Sequence, residues 1–143
     1  MFIRAVMIVF VLTTLFLVPS FAAEPNLKDG MWEITTNMEM LGMPAGSMPA
    51  QKINQCITKK DSVPQKPEKD SECKMISTKV VSDTVFWNMQ CRMKDGSKID
   101  SEGTATYKGD KFDGVTNMIM SQPGEKAMKM TQRMSGRRIG ECK

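Results

Sequence analysis

The sequence predicts an all-β protein: one domain built as a single antiparallel up-and-down sheet curled into a small or half-open barrel, behind an N-terminal signal-peptide helix. Three observations lead there. From Gly30 onward, apolar and polar residues alternate with period two in run after run, the pattern of half-buried strands. Turn-forming clusters separate those runs at short, fairly even spacing. After the leader, no stretch keeps an apolar stripe at helical period long enough to compete. A sheet with no helix over it must curl on itself or fold into a sandwich, because a flat sheet leaves its apolar face and both edges in water. A curled sheet encloses a narrow interior, either filled by side chains or holding one small ligand.

The leader comes first. Arg4 is followed by an apolar run from Ala5 to Val18, broken only by Thr13 and Thr14, then by Pro19 and the small-x-small sequence Ser20-Phe21-Ala22. That is the layout of a secretory signal peptide over residues 1–22, with cleavage after Ala22 or, alternatively, after Ala23. The run is shorter than the roughly 20 residues needed to cross a bilayer, and no cysteine near the cut invites a lipid, so no stable membrane anchor is expected. Residues 23–143 remain as one exported domain, periplasmic or secreted.

In "MWEITTNMEM" the residues Trp32, Ile34, Thr36, Met38 and Met40 share one face of the first strand. "LGMPAGSMPA" is a loop, its prolines and glycines excluding regular structure. "QKINQCI" reads as a short strand and "TKKDSVPQKPEKDSE" as a polar surface loop. "CKMISTKVV" and "TVFWNMQCRM" are strands joined at Ser82-Asp83, the natural pairing being a hairpin. Lys94-Asp95-Gly96 turns the chain into "SKIDSEGTATY", Lys108-Gly109-Asp110-Lys111 turns it into "FDGVTNMIM", and the Gln122-Pro123-Gly124-Glu125 turn leads to a last strand, "KAMKMTQRMSG".

Composition excludes more than it selects. The chain carries 20 basic and 16 acidic residues in scattered short runs, with no basic stripe interleaved with aromatics, so nucleic acid is not an expected partner. It has no histidine. A cysteine or serine nucleophile therefore lacks its usual base, and the carboxylate pairs Asp110/Asp113 and Asp95/Asp100 include turn residues whose local hydrogen bonds suffice to explain them; no enzyme is expected. Arg137-Arg138 either clamps an anion or carboxylate or forms the solvated end of the last strand pinned by a disulfide. The four cysteines Cys56, Cys73, Cys91 and Cys142 suit two disulfides in an oxidising compartment better than a zinc site, which wants closely spaced pairs. The favoured pairing joins Cys56 to Cys73 and Cys91 to Cys142. Its rival joins Cys73 to Cys91, and needs a bulge or a three-residue turn, since a two-residue turn at Ser82-Asp83 sets Cys73 opposite Arg92.

Fifteen methionines are the one compositional excess; Met1 and Met7 belong to the leader, leaving thirteen in the domain. Met38, Met40 and Met43 have the M-x-M-x2-M spacing of a soft-metal array for Cu(I) or Ag(I). Later methionines are spread over several strands in the same alternating way, which suggests a methionine-lined interior rather than one concentrated site. Trp32, Trp87, Met89 and Met118 are accordingly the candidates to meet an apolar small molecule or envelope component, and no cofactor is implied. A structural or partner-contacting module is the further alternative.

Residues "DGMWEITTNMEMLGMP", "NQCITKKD", the lone Cys73, "DTVFWNMQC", "TATYKGDKFDG" and "MSGRRIGEC" stand in an order that resembles an uncharacterised family of exported bacterial proteins, the domain of unknown function three-six-one-seven. Gly30-x-Trp32-Glu33 and the closing Gly136-Arg137-Arg138-Ile139-Gly140-Glu141-Cys142 are its most specific parts. The resemblance implies export, four cysteines and an antiparallel β fold, with no assigned activity and no catalytic residues.

Overall fold

Seven strands form where the alternation places them: β1 (Gly30–Met40), β2 (Gln51–Ile57), β3 (Ser71–Val81), β4 (Thr84–Met93), β5 (Lys98–Tyr107), β6 (Lys111–Ser121) and β7 (Met128–Gly140). They belong to a computed structural model that describes residues 24–44, 46–65 and 71–143; the expected signal peptide lies outside these residues. All seven pair antiparallel in one sheet of order β2-β1-β7-β6-β5-β4-β3. This is an up-and-down barrel closed between the first and last strands and left open between β2 and β3.

The odd number of strands explains the opening. With every neighbouring pair antiparallel around the sheet, β2 and β3 run in the same direction, so no tight turn can join them. The connection must return along the length of a strand, and among its described residues Ser62 to Pro64 enter the inner side of the sheet. Ser62, Val63 and Pro64 are buried; the Tyr107 hydroxyl donates to the Ser62 carbonyl at 2.5 Å, and Trp87 Nε1 donates to Gln65 Oε1 at 3.2 Å. The segment expected to be a polar surface loop is therefore, over Ser62 to Pro64, part of the core.

That plug divides the interior. At one end Trp32, Tyr107 and Phe112 pack against one another with centroids 5.2 to 6.0 Å apart, beneath Leu27, Ile34, Ile57 and Val85. Two glycines make room. A Cβ on Gly103 would lie 2.2 Å from the Trp87 ring and one on Gly136 2.1 Å from Phe112, the residues directly opposite them in the ladder. Each ring lies over a bare backbone on the neighbouring strand. The other end is lined by sulfur.

The disulfides correct the favoured pairing: the bonds are Cys56–Cys142 and Cys73–Cys91. Two features decide it. A bulge between Met75 and Ser77 inserts Ile76 into β3 and shifts the register by one, so Cys73 faces Cys91 although Val81 faces Thr84 across the Ser82-Asp83 turn. Closure of β1 on β7 sets Met31 between Cys56 and Gly140, so Cys142, two residues past Gly140, reaches across the start of β1 to β2.

Candidate functional site

Cross-strand register fixes which side chains meet on the inner face. Reading around the sheet from β1 through β7, β6, β5 and β4 to β3, one row runs Met40, Met130, Met118, Ser101, Met89, Met75, each directly opposite the next. Toward the aromatic end the next row runs Met38, Gln132, Thr116, Gly103, Trp87, Thr78; on the other side lie Met128, Met120, Ile99, Cys91 and Cys73. The inward positions of the open end are thus mostly thioethers.

These rows surround a cavity of about 350 Å³. Met38, Met89, Met93, Met118, Met120, Met130 and Met134 line it with Ile53, Ile99 and Pro64, and its polar lining is Thr36, Gln65, Ser71, Ser101, Gln132 and the Cys91 sulfur. None of these side chains carries a charge. The volume falls in the range of small-molecule sites, at its lower end. Ser101 is 4% exposed, and its Oγ has no hydrogen-bond partner among the described residues. A buried hydroxyl left unpaired costs on the order of 1 to 3 kcal/mol, so a group that bonds to it from the cavity gains that much in contrast. Thr116 Oγ1, in the row behind, is buried and unpaired in the same way.

Of the four residues expected to meet a ligand, Met89 and Met118 line this cavity. Trp32 and Trp87 do not: Trp32 is fully buried in the aromatic cluster, its Nε1 donating to the Lys28 carbonyl at 3.2 Å, and Trp87 covers Gly103. Trp87 nonetheless bears on the site by holding Gln65, which does line the cavity. The spacing array Met38, Met40, Met43 is broken up. Met38 and Met40 point inward, but Met43 is 53% exposed in the turn after β1, its N–H donating to the Met40 carbonyl. The later methionines, expected to line the interior from several strands, meet Met38 there once the strands are in register, and Met40 stands in the same row.

Arg137, Arg138, Asp95 and Asp113 make contacts within the chain. Arg137 pairs with Glu33 at 3.0 Å; Arg138 donates from Nε to the Asp29 carbonyl at 2.8 Å and bonds Glu141 through Nη2. The basic pair so binds its own chain, and β7 extends through it to Gly140 because β1 pairs with it there, with β6 alongside as far as Arg137. Asp95 accepts from the Ser97 hydroxyl and backbone N–H, bonds that hold its carboxyl below the usual range and make it a turn residue. Asp113 lies 3.9 Å from Lys108. Among the described residues no three Cys, Asp or Glu side chains converge as a metal site. No described helix is long and apolar enough to cross a membrane.

No curated protein and no solved structure matches the chain. One family model does, and its limits coincide with the folded unit: it runs from Leu27, buried in the core and bridged to Gly109, to Cys142, whose disulfide fastens the end of the chain. With residues 27–142 matched, the chain belongs to the family described as Protein of unknown function (DUF3617).

Proposed function

We propose that this protein is a non-catalytic binding module of the periplasm or extracellular space, and that it holds a neutral, mostly apolar small molecule or envelope component at the open end of its barrel. The observation that carries the reading is the uncharged, methionine-lined cavity of about 350 Å³. Thioether side chains adapt to varied apolar shapes, and a lining without charge disfavours a hard, strongly hydrated ion, which would lose its hydration without a charged partner. Ser101, Gln65 and Gln132 supply hydrogen bonds for one or two polar groups on the ligand. The two disulfides suit an oxidising extracytoplasmic compartment.

Mass spectrometry of the intact protein, purified from its native envelope without detergent, tests the reading. A co-purifying neutral molecule, released when Ser101→Phe fills the cavity, is the expected result. A bare chain, or a ligand retained equally by that variant, overturns it.

A further inference from the structure

Three strands each carry a Met-x-Met pair: Met38 and Met40 on β1, Met118 and Met120 on β6, Met128 and Met130 on β7. Far apart in sequence, they are neighbours in the sheet, since β7 lies between β1 and β6. Met40 faces Met130, Met130 faces Met118, and Met128 faces Met120. We propose that these three pairs form a thioether site for a soft monovalent cation, Cu(I) or Ag(I), centred on Met40, Met118 and Met130. The proposal does not depend on the small-molecule reading, but Met118 and Met130 also line that cavity, so the two guests would compete for one wall.

Directly opposed residues of an antiparallel ladder hold their Cβ atoms about 4.5 to 5.5 Å apart, and a methionine has three rotatable bonds beyond that point. Three sulfurs from one row therefore reach a common ion without moving the backbone. Met38, Met120 and Met128 lie one pleat away, roughly 7 Å along their strands, as alternative donors. The donor set decides the metal. Thioethers are neutral and soft, so they favour Cu(I) and Ag(I) and offer little to Zn(II), Mg(II) or Ca(II), and no carboxylate or imidazole joins them here. Access is graded in the right sense: Met118 is 6% exposed, Met40 and Met130 are half-buried, and Met128 stands 40% exposed at the mouth. The wall also favours methionine over residues that would serve a purely apolar site as well, since leucine or isoleucine packs with better-defined rotamers.

Ag(I), supplied as nitrate in chloride-free buffer, is the probe, because it keeps one oxidation state and the chain, with both disulfides closed, has no thiol to capture it. Titration followed by ¹³C NMR of the methionine methyls should show one ion per chain, with the largest shifts at Met40, Met118 and Met130. Met40→Leu/Met118→Leu/Met130→Leu conserves volume and should weaken binding at least about 100-fold, the upper end of what losing even an outer-shell partner costs a metal site. Met43→Leu/Met48→Leu, in the β1–β2 loop, should bind as the parent does. Shifts confined to Met43, Met48 or Met75, binding that survives the triple change, or no binding tighter than millimolar each overturn the proposal. The methyl shifts on the unaltered chain decide the matter even should the triple variant fail to fold.

Discussion

At Gly103 a single hydrogen in place of a side chain lets the Trp87 ring lie flat on β5, and at Gly136 the same omission admits Phe112. Adding a methyl group at either position drives it into a ring already without free space. Gly103→Ala and Gly136→Ala should each cost on the order of 1 to 3 kcal/mol or more, seen as a lower urea midpoint at unchanged slope. Tyr107 makes a second test at this scale. Burial, and secondarily the charge of Asp61, raise its pKa well above the ordinary value of 10.0. Since the unfolded chain then releases that proton at a lower pH than the folded one, stability should be whole below pH 10 and fall as pH rises beyond it. Tyr107→Phe should remove that alkaline loss while giving up about 1 kcal/mol at neutral pH with the bond to Ser62. An unchanged alkaline limb in pH-dependent unfolding of the variant would contradict this assignment.

Among the elements, Ile76 has the largest consequence for its size. It is the extra residue that moves β3 by one step: the full strand paired without the bulge would set Cys73 opposite Arg92, on the other face from Cys91, whereas deleting Ile76 leaves Met75 opposite Met89 and Cys73 opposite Cys91 in a regular ladder. Thiol titration of the deletion variant should therefore find no reactive cysteine, as in the parent, and non-reducing peptide mapping should recover both the Cys73–Cys91 and the Cys56–Cys142 fragments; two reactive thiols would contradict the assignment of Ile76 as the bulged residue. The disulfides also differ in weight. Cys56–Cys142 spans 86 positions and Cys73–Cys91 spans 18. Loop-closure entropy then assigns roughly 4 to 5 kcal/mol to the first and about 3 to the second, so Cys56→Ser/Cys142→Ser should melt lower than Cys73→Ser/Cys91→Ser. The strands were legible because alternation is local: Val85, Trp87, Met89 and Cys91 announce β4 unaided. The bulge was not, because nothing in "CKMISTKVV" distinguishes Ile76 from its neighbours until Cys91 is placed. The tail of β7 was also hidden, since "RRIG" alternates poorly and is held by β1, with β6 reaching only Arg137.

For the molecule as a whole, one topological fact organises the rest. Seven strands, all paired antiparallel and joined first to last, leave β2 and β3 pointing the same way, and of the segment between them Ser62 to Gln65 lie inward, Val63 in the aromatic core and Pro64 and Gln65 against the sulfur-lined hollow. A curled sheet with a methionine-rich interior could be read from the sequence. Which methionines meet, and that Ser62, Val63 and Pro64 lie inside, could not, because both depend on closure and register between residues far apart in the chain. The most direct test of a hollow at the open end is binding of a neutral fluorescent naphthylamine to the purified, oxidised protein. One probe per chain, displaced from Met118→Trp but not from Met43→Leu, is the predicted result; no binding, or equal binding by Met118→Trp, would show that the interior holds no such space.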